Sequence, residues 1–188
     1  MKKTLLIILP LLLIVGCSKP INDKNLIDKD GLKYHPDTNK LYSGKVFKNT
    51  VDGKKELEGS YKNGGKNGKW TSWYENGLKR DEENYKYLDK YRFSKRDGKR
   101  ITWFENGQKS SEATYNDGKF DGLGNSWYEN GQKWFEATYN NGIEDGLATS
   151  WYENGQKRYE ATYNDGKLIS KKCWDEDGNE TECTEPPN

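Results

Sequence analysis

Aromatic and β-branched residues alternate with polar residues in short runs along most of this chain, and Asn-Gly or Asp-Gly pairs separate the runs. Alternation of this kind is typical of β-strands that bury one face. Asn-Gly and Asp-Gly pairs form tight turns between antiparallel strands because Asn, Asp and Gly tolerate positive φ. The pattern therefore predicts an all-β chain built from consecutive β-hairpins.

The hairpin phrase recurs with a fixed period. W-Y-E-N-G-L-K, W-F-E-N-G-Q-K and two copies of W-Y-E-N-G-Q-K begin at Trp73, Trp103, Trp127 and Trp151. A second phrase, E-A-T-Y, ends at Tyr115, Tyr139 and Tyr163. The period is 24 residues, except that one unit carries six extra residues between Tyr85 and Gly98. Such units are supersecondary pieces that bury apolar surface only against their neighbours.

These repeats predict an elongated, single-layer antiparallel meander of tandem β-hairpins. We assign five repeats of about 24 residues to positions 44–169, the second of them lengthened to 30. Residues 32–43 read as an N-terminal half-repeat that caps the sheet. Residues 170–188 read as a degenerate C-terminal repeat followed by a tail.

The turn type determines which side chains share a face. A three-residue Glu-Asn-Gly turn with a bulge places Trp127 on the same buried face as Phe135, Ala137 and Tyr139. The opposite, water-facing side then carries Tyr128, Gln132, Glu136 and Thr138.

A two-residue Asn-Gly turn is the alternative. It would pair Trp127 with Trp134 and leave Phe135 on the other face. We favour the three-residue turn because Leu123 and Leu147 share the parity of the tryptophan that follows each of them.

The N-terminus has the features of an export signal. Lys2 and Lys3 precede an apolar run, which is too short to span a bilayer as a helix and fits the core of a signal peptide at residues 1–16. The sequence Ile-Val-Gly-Cys17 resembles a bacterial lipobox, which implies cleavage before Cys17 and attachment of diacylglycerol to its sulfur. An ordinary signal peptide with an incidental cysteine is the alternative.

These features predict a lipoprotein of the bacterial cell envelope, anchored without a membrane span. Residues 17–31 would be the lipidated cysteine and a polar tether. Ser18 follows the cysteine, which by resemblance to enterobacterial sorting favours the outer membrane over the inner one, with the protein facing the periplasm or the cell surface.

The net charge and the residue types of the chain exclude several classes of function. The formal net charge is only +1 and the signs are interleaved, so we expect no nucleic-acid partner. The chain has one histidine, His35, and no zinc spacing, phosphate-binding loop or nucleophile elbow. Its carboxylates recur in every unit, whereas a catalytic pair is confined to one place. We therefore expect no enzyme activity, catalytic residue, metal or cofactor.

Two cysteines remain near the C-terminus. Export permits a disulfide between Cys173 and Cys183, which lie diagonally on one side of the last hairpin. Two free thiols are the alternative.

The phrases W-Y-E-N-G-Q-K, E-A-T-Y-N-D-G-K and D-G resemble the bacterial variant of the MORN repeat over about residues 31–180, including proteins labelled as YwqK-type antitoxins. The resemblance implies a twisted antiparallel sheet that serves as a binding or scaffolding surface.

The repeated aromatic residues are the candidate packing or binding positions: Trp73, Trp103, Trp127, Trp151, Tyr115, Tyr139 and Tyr163. We expect a monomeric, lipid-anchored scaffold that binds a protein partner, with a toxin as one candidate, because aromatic anchors dominate protein interfaces. The alternative is binding of an envelope glycan or peptidoglycan, whose sugar rings would stack on the aromatic ladder.

Overall fold

The structure, a computed structural model, describes residues 19–183. The predicted signal peptide at 1–16, Cys17 and the last part of the predicted tail lie outside these residues. The described chain forms eighteen β-strands and one short 3₁₀ helix. Over this range, no helix is both long and apolar enough to span a membrane.

The N-terminal segment is folded rather than extended. It contains β1 (Ile21–Asn22), a 3₁₀ helix (Asp23–Asn25), β2 (Ile27–Lys29) and β3 (Leu32–Tyr34). Leu26 and Leu32 are only 7% and 6% exposed. The prediction of a polar tether is therefore wrong for residues 21–31, because apolar side chains spaced among the polar ones anchor this segment to the sheet.

Fifteen further strands follow along the chain. They are β4 (Gly44–Asn49), β5 (Lys55–Lys62), β6 (Gly65–Lys66), β7 (Gly68–Trp73), β8 (Lys79–Leu88), β9 (Phe93–Arg96), β10 (Gly98–Trp103), β11 (Lys109–Asn116), β12 (Lys119–Phe120), β13 (Gly122–Trp127), β14 (Lys133–Asn140), β15 (Ile143–Trp151), β16 (Lys157–Asn164), β17 (Lys167–Trp174) and β18 (Glu180–Thr181).

The strands form one open sheet in the order β1-β4-β5-β7-β8-β10-β11-β13-β14-β15-β16-β17-β18. Neighbours pair antiparallel, except that β1 pairs parallel with β4. The short strands β6, β9 and β12 pair back onto β5, β8 and β11, and β2 and β3 form a separate hairpin. At about 4.8 Å per strand the sheet is roughly 55–60 Å long. The predicted all-β sheet of tandem hairpins is confirmed.

Two kinds of turn recur along the sheet. In the Glu-Asn-Gly turn, Gly131 N–H donates to Tyr128 O at 2.9 Å and Tyr128 N–H donates to Gln132 O at 2.8 Å. This is the predicted three-residue turn, with Gly131 at φ 85°. The other turn has two residues, as at Asn141 and Gly142, whose φ values of 53° and 89° are those of type I′.

A bulge beside the turn in five hairpins, β4–β5, β7–β8, β10–β11, β13–β14 and β15–β16, reverses the predicted faces. Ser126 pairs with Phe135 and Trp127 pairs with Lys133, so Trp134 is an extra residue in β14. Trp127 therefore lies on the face opposite Phe135, Ala137 and Tyr139 rather than with them. The prediction of one shared face is wrong, because a bulge shifts side-chain parity by one residue.

The two faces can be named by their repeated aromatic residues. The tyrosine face carries Tyr61, Tyr85, Tyr115, Tyr139 and Tyr163. The tryptophan face carries Trp73, Trp103, Trp127, Trp151 and Trp174.

The main apolar core lies on the tyrosine face at the N-terminal end of the sheet. It consists of Leu26, Tyr42, Val46, Tyr61 and Trp70. The Trp70 ring is 2% exposed, meets the Tyr61 ring edge to face at 4.9 Å, and donates from Nε1 to Ser60 O at 3.1 Å. Here the N-terminal segment adds a second layer to a sheet that is otherwise one layer thick.

The lengthened repeat forms a longer hairpin. Its four residue pairs run from Tyr85–Arg96 to Leu88–Phe93, joined by residues 89–92. The corresponding hairpin of the next repeat has two pairs, Tyr115–Phe120 and Asn116–Lys119. The extra residues therefore extend beyond the edge of the sheet without changing the register inside it.

A disulfide joins Cys173 to Cys183, with the two Cα atoms 5.3 Å apart. Cys173 pairs with Thr181 in the strand register, so Cys183 is its diagonal neighbour. The bond fixes β18 and Cys183 against the end of β17.

Candidate functional site

The tryptophan face carries a regular row of tryptophan rings, and lysine side chains of the same face cover them. Each tryptophan is half-buried under a lysine of the preceding hairpin, as where Lys109 Nζ lies 5.7 Å from the Trp127 ring centroid. The same lysine contacts Glu112 at 2.6 Å. The arrangement recurs for Lys55, Lys79, Lys133 and Lys157. One surface of every ring is thus occupied by a cation.

Hydrogen bonds between successive turns fix the spacing of the hairpins. Asn106 Nδ2 donates to Glu129 O at 2.9 Å, and the same bond is made by Asn76, Asn130 and Asn154. The Tyr128 hydroxyl donates to Trp151 O at 2.8 Å, and Tyr74 and Tyr152 make the equivalent bond. This part of the repeat is structural.

The tyrosine face differs from one hairpin to the next. Its central position on the first strand is occupied in turn by Val46, Trp70, Arg100, Gly124 and Ala148. Trp70 covers Gly59, and Arg100 is held by carboxylates. Gly124 itself supplies no side chain at the corresponding position, and the nearest side chain is the Tyr139 ring.

The carboxylates beside Arg100 are neutralised by two arginines. Arg100 contacts Asp81 at 2.5 Å, and Arg96 contacts Glu83 at 2.7 Å. The Tyr85 hydroxyl donates to Glu83 at 2.6 Å. Burial acts to raise the pKa of Glu83, but the hydrogen bonds from Tyr85 and Arg96 outweigh it, so this pKa lies below its ordinary value. These groups fill the central position, although Asp81 Oδ1 and Arg100 Nε are buried there without a hydrogen-bond partner in the described part of the chain.

The lowered pKa of Glu83 predicts that the free energy of unfolding depends on pH. A carboxylate with a lowered pKa in the folded state stabilises it above the unfolded pKa, and that contribution is lost as pH falls through the folded pKa. We expect the free energy of unfolding to decrease as pH falls below about 4.5, measured by urea titration. In Glu83→Gln the decrease should be smaller. It should not vanish, because the pKa values of Glu82 and Glu112 are also lowered. An identical pH profile for both proteins would refute this role of Glu83.

A pocket of about 120 Å³ lies over Gly124, and we call it the Gly124 pocket. It is lined by Arg100, Ser111, Glu112, Ala113, Tyr115, Phe120, Gly124, Asn125, Ser126, Phe135 and Tyr139. Phe120 lies 4.7 Å from the Tyr115 ring and 5.2 Å from the Tyr139 ring, measured between centroids, and is 39% exposed. Trp134, also exposed at 46%, lies 6.3 Å from Phe135.

The lining of this pocket is mainly aromatic and apolar. Its rings offer apolar surface for a single side chain or ring of a ligand, and the polar residues Arg100 and Ser126 also line it. Within residues 19–183, no group of three or more His, Cys, Asp or Glu side chains is arranged to hold a metal. His35 accepts a hydrogen bond from Asp37 N–H in the N-terminal segment and does not line the pocket.

The structure separates the aromatic residues singled out in the sequence. Trp73, Trp103, Trp127 and Trp151 lie on the tryptophan face. Tyr115 and Tyr139 border the Gly124 pocket, whereas Tyr163 lies in β16, beyond the strands that line it. Phe120, Gly124 and Arg100 were missed. Gly124 carried one signal, since it stands outside the periodic glycine series of the turns.

Comparison with known proteins agrees with this architecture. The family model described as the MORN repeat variant matches four tandem segments, residues 66–87, 96–117, 120–141 and 144–165. Each segment contains one Glu-Asn-Gly hairpin. A search of curated proteins gave no match to this chain.

Proposed function

We propose that this chain, which carries four tandem MORN-variant repeats, is a non-catalytic scaffold that binds a partner protein at the Gly124 pocket. One observation carries the proposal. The central position of the tyrosine face is filled by Trp70 and Arg100 in two successive hairpins and is left open by Gly124 in the next. An exposed pocket walled by aromatic rings is where the binding energy of a protein interface concentrates.

The second part of the proposal concerns location. A lipid on Cys17 would hold the chain at the bacterial envelope, as the lipobox-like sequence suggests. Since strand structure begins at Ile21, only a few residues separate the lipid from the N-terminal end of the sheet. The Gly124 pocket and the C-terminal edge would then project away from the membrane surface.

A toxin that acts on the envelope is the first partner to test, because similar repeat proteins are labelled as antitoxins. Glycan binding through the tryptophan ladder has less support. A sugar ring that stacked on Trp127 from the side of Lys109 would have to displace that ammonium group.

The test is a crosslinking pull-down from the native envelope fraction with the purified protein as bait. Gly124→Val fills the pocket with the residue found at the equivalent Val46. Leu123→Thr changes the adjacent exposed residue on the tryptophan face and is the matched control. We expect one enriched protein, lowered about tenfold by Gly124→Val and unchanged by Leu123→Thr, since a filled pocket removes an anchoring contact.

The valine Cβ would lie 3.2 Å from Tyr139 Cε2, so folding is checked by the thermal midpoint, with Gly124→Ala as a milder second variant. Equal enrichment with all variants would refute the proposal that the partner binds at the Gly124 pocket. Enrichment of wall fragments without a protein would favour glycan binding.

A further inference from the structure

The hairpin of β8 and β9 projects from the edge of the sheet that carries the two-residue turns. It has two residue pairs more than the corresponding hairpin of the next repeat. Two pairs lengthen a hairpin by roughly 7 Å, and its loop extends further. The next two-residue turn lies beside the base of this extension, because Gly118 N–H donates to Arg96 O at 2.8 Å. We call residues 88–93, at the end of the hairpin, the hairpin tip.

Two aromatic rings of the hairpin tip are exposed to solvent. Tyr91 and Phe93 are 61% and 43% exposed, and their ring centroids lie 5.9 Å apart. Lys90 Nζ lies 5.3 Å from the Tyr91 ring centroid, and Lys95 Nζ lies 5.7 Å from that of Phe93. Apolar surface rimmed by polar groups in this way marks an interaction site for a protein or a membrane.

Positive charge is concentrated in the same hairpin. Residues 86–96 contain five basic residues and one acidic residue, whereas the whole chain has a net charge of only +1. Carboxylates outside the tip neutralise part of this charge, since Glu83 contacts Arg96 and Asp117 contacts Lys95. Within residues 19–183, no ion pair is formed by Lys86, Lys90 or Arg92. The hairpin therefore presents unneutralised cations beside exposed rings.

The N-terminal end of the described chain lies at the same edge of the sheet. β1 runs parallel to β4, with Ile21 opposite the third residue of β4. The first residue of β4, Gly44, pairs with Tyr61, close to the two-residue turn that follows β5. Because the two strands are parallel, Lys19 and Pro20 lie towards the edge from which the hairpin tip projects.

We propose that the hairpin tip is a membrane contact, where Tyr91 and Phe93 enter the interface of a bilayer while Lys90 and Arg92 meet anionic headgroups. Aromatic rings are favoured at the membrane–water interface, and basic side chains near it are attracted to anionic phospholipids. The proposal rests on the proposed envelope location and adds a contact that orients the sheet. It concerns the inserted residues of one hairpin rather than the repeat itself.

The shape of the hairpin tip favours a membrane over an acidic protein as the partner. A projecting loop offers a protein little surface of complementary shape, on which stable protein interfaces depend. A bilayer adapts to a projecting loop, and shallow insertion needs only apolar side chains beside basic ones.

Two contacts would hold the sheet at an angle to the membrane. β8 is the fourth strand after β1 in the sheet, so the hairpin tip lies roughly 20 Å along the sheet from the N-terminal contact. Because the tip extends beyond the edge, the sheet rises from the membrane towards its C-terminal end. The Gly124 pocket, on strands further along, stays accessible to a partner protein.

Hydrogen exchange of the full chain on vesicles tests the contact. The chain is reconstituted with vesicles of phosphatidylcholine alone or of equal parts of phosphatidylcholine and phosphatidylglycerol, so any N-terminal attachment is common to both samples. We expect exchange in residues 88–93 to be about fivefold slower on the anionic vesicles, which corresponds to the attraction of one basic side chain to an anionic surface.

Three results would overturn the proposal. The first is equal exchange in residues 88–93 on the two kinds of vesicle. The second is the same protection by glycerol phosphate without vesicles, which would mean that the hairpin tip recognises a free phosphate. The third is protection that requires added envelope proteins, which would mean that the tip binds an acidic protein.

Variants separate the hairpin tip from net charge. Lys90→Gln combined with Arg92→Asn should abolish the difference between the vesicles; asparagine tolerates the φ of 55° at position 92. Lys167→Gln combined with Lys172→Gln removes the same charge at exposed positions of the last hairpin and should leave the difference intact. Tyr91→Ser keeps the charges and should at least halve the difference. An equal effect of the two double variants, or none of Tyr91→Ser, would contradict insertion of the tip. The thermal midpoint of each variant verifies folding.

The lipid on Cys17 is tested separately, by metabolic labelling with palmitate. Labelling without protection of residues 88–93 would overturn the membrane contact and leave the envelope location standing. Protection without labelling would support the contact and remove the lipid anchor. Gly124→Val should leave the exchange of residues 88–93 unchanged, so failure of the pocket and failure of the hairpin tip are distinguishable.

Discussion

Replacing Trp70 with alanine will lower the free energy of unfolding by about 3–5 kcal/mol, the range for truncating a buried tryptophan. The ring is 2% exposed and packs against Tyr61. Lys66 Nζ lies 4.6 Å from its centroid, and its Nε1 hydrogen bond to Ser60 O would be lost. Urea denaturation, fitted to a two-state transition or to a nearest-neighbour repeat model, measures the change.

Trp134→Ala is the matched control. Trp134 is the extra residue of a bulge and is 46% exposed, so its removal leaves no cavity. We expect a loss below about 1 kcal/mol, as for surface substitutions elsewhere. Similar losses for both tryptophans would mean that the core around Tyr61 and Trp70 does not stabilise the sheet as described.

Gly59→Ala will cost about 1–3 kcal/mol, because it forces a methyl group into a packed contact. An alanine Cβ at this position would lie 2.3 Å from Trp70 Cδ2, far inside van der Waals contact. In the Trp70→Ala background the obstacle is gone, and the same substitution should cost almost nothing. The double-mutant cycle therefore predicts a coupling energy close to the single-variant cost of Gly59→Ala.

Gly124→Ala serves as the comparison for Gly59→Ala. Its Cβ would meet Tyr139 Cε2 at 3.2 Å, which a small movement of the ring relieves. The loss should be clearly smaller than at Gly59. Additive losses in the Gly59 and Trp70 cycle would show that the tryptophan ring does not rest on the glycine.

The hairpins and their turns were predictable because their determinants are local. The Glu-Asn-Gly turn needs a left-handed residue at its end, and Gly131 supplies it at φ 85°. The two-residue turns need two successive positive φ values, which Asn141 and Gly142 adopt. A period of 24 residues repeats both signals in each unit.

The faces were not predictable because the bulge has no sequence signature. The extra residue has no constant type in the five bulged hairpins: it is Glu56, Arg80, Ser110, Trp134 and Arg158 in turn. Parity counted from the turn is therefore wrong by one beyond the bulge. Side-chain period alone gives no means of detecting this shift.

The core and the Gly124 pocket depend on contacts between distant parts of the chain. Trp70 stands outside the repeated tryptophan ladder, and Leu26 reaches it from the N-terminal segment. Tyr115, Phe120 and Tyr139 border one pocket although they belong to different strands. Nothing local to these residues indicates the contact, whereas a residue that breaks a repeat, as Gly124 does, marks where to search.

The long hairpin between Tyr85 and Arg96 shows where this architecture tolerates inserted residues. Its added residues are absorbed as two further pairs and a wider loop, and the next strand resumes in phase at Gly98. Residues 89–92 are thus an insertion site at which a reporter, an epitope or a whole domain can be added in the laboratory. Lineages that lengthen this loop can acquire new contacts while the rest of the array stays unaltered.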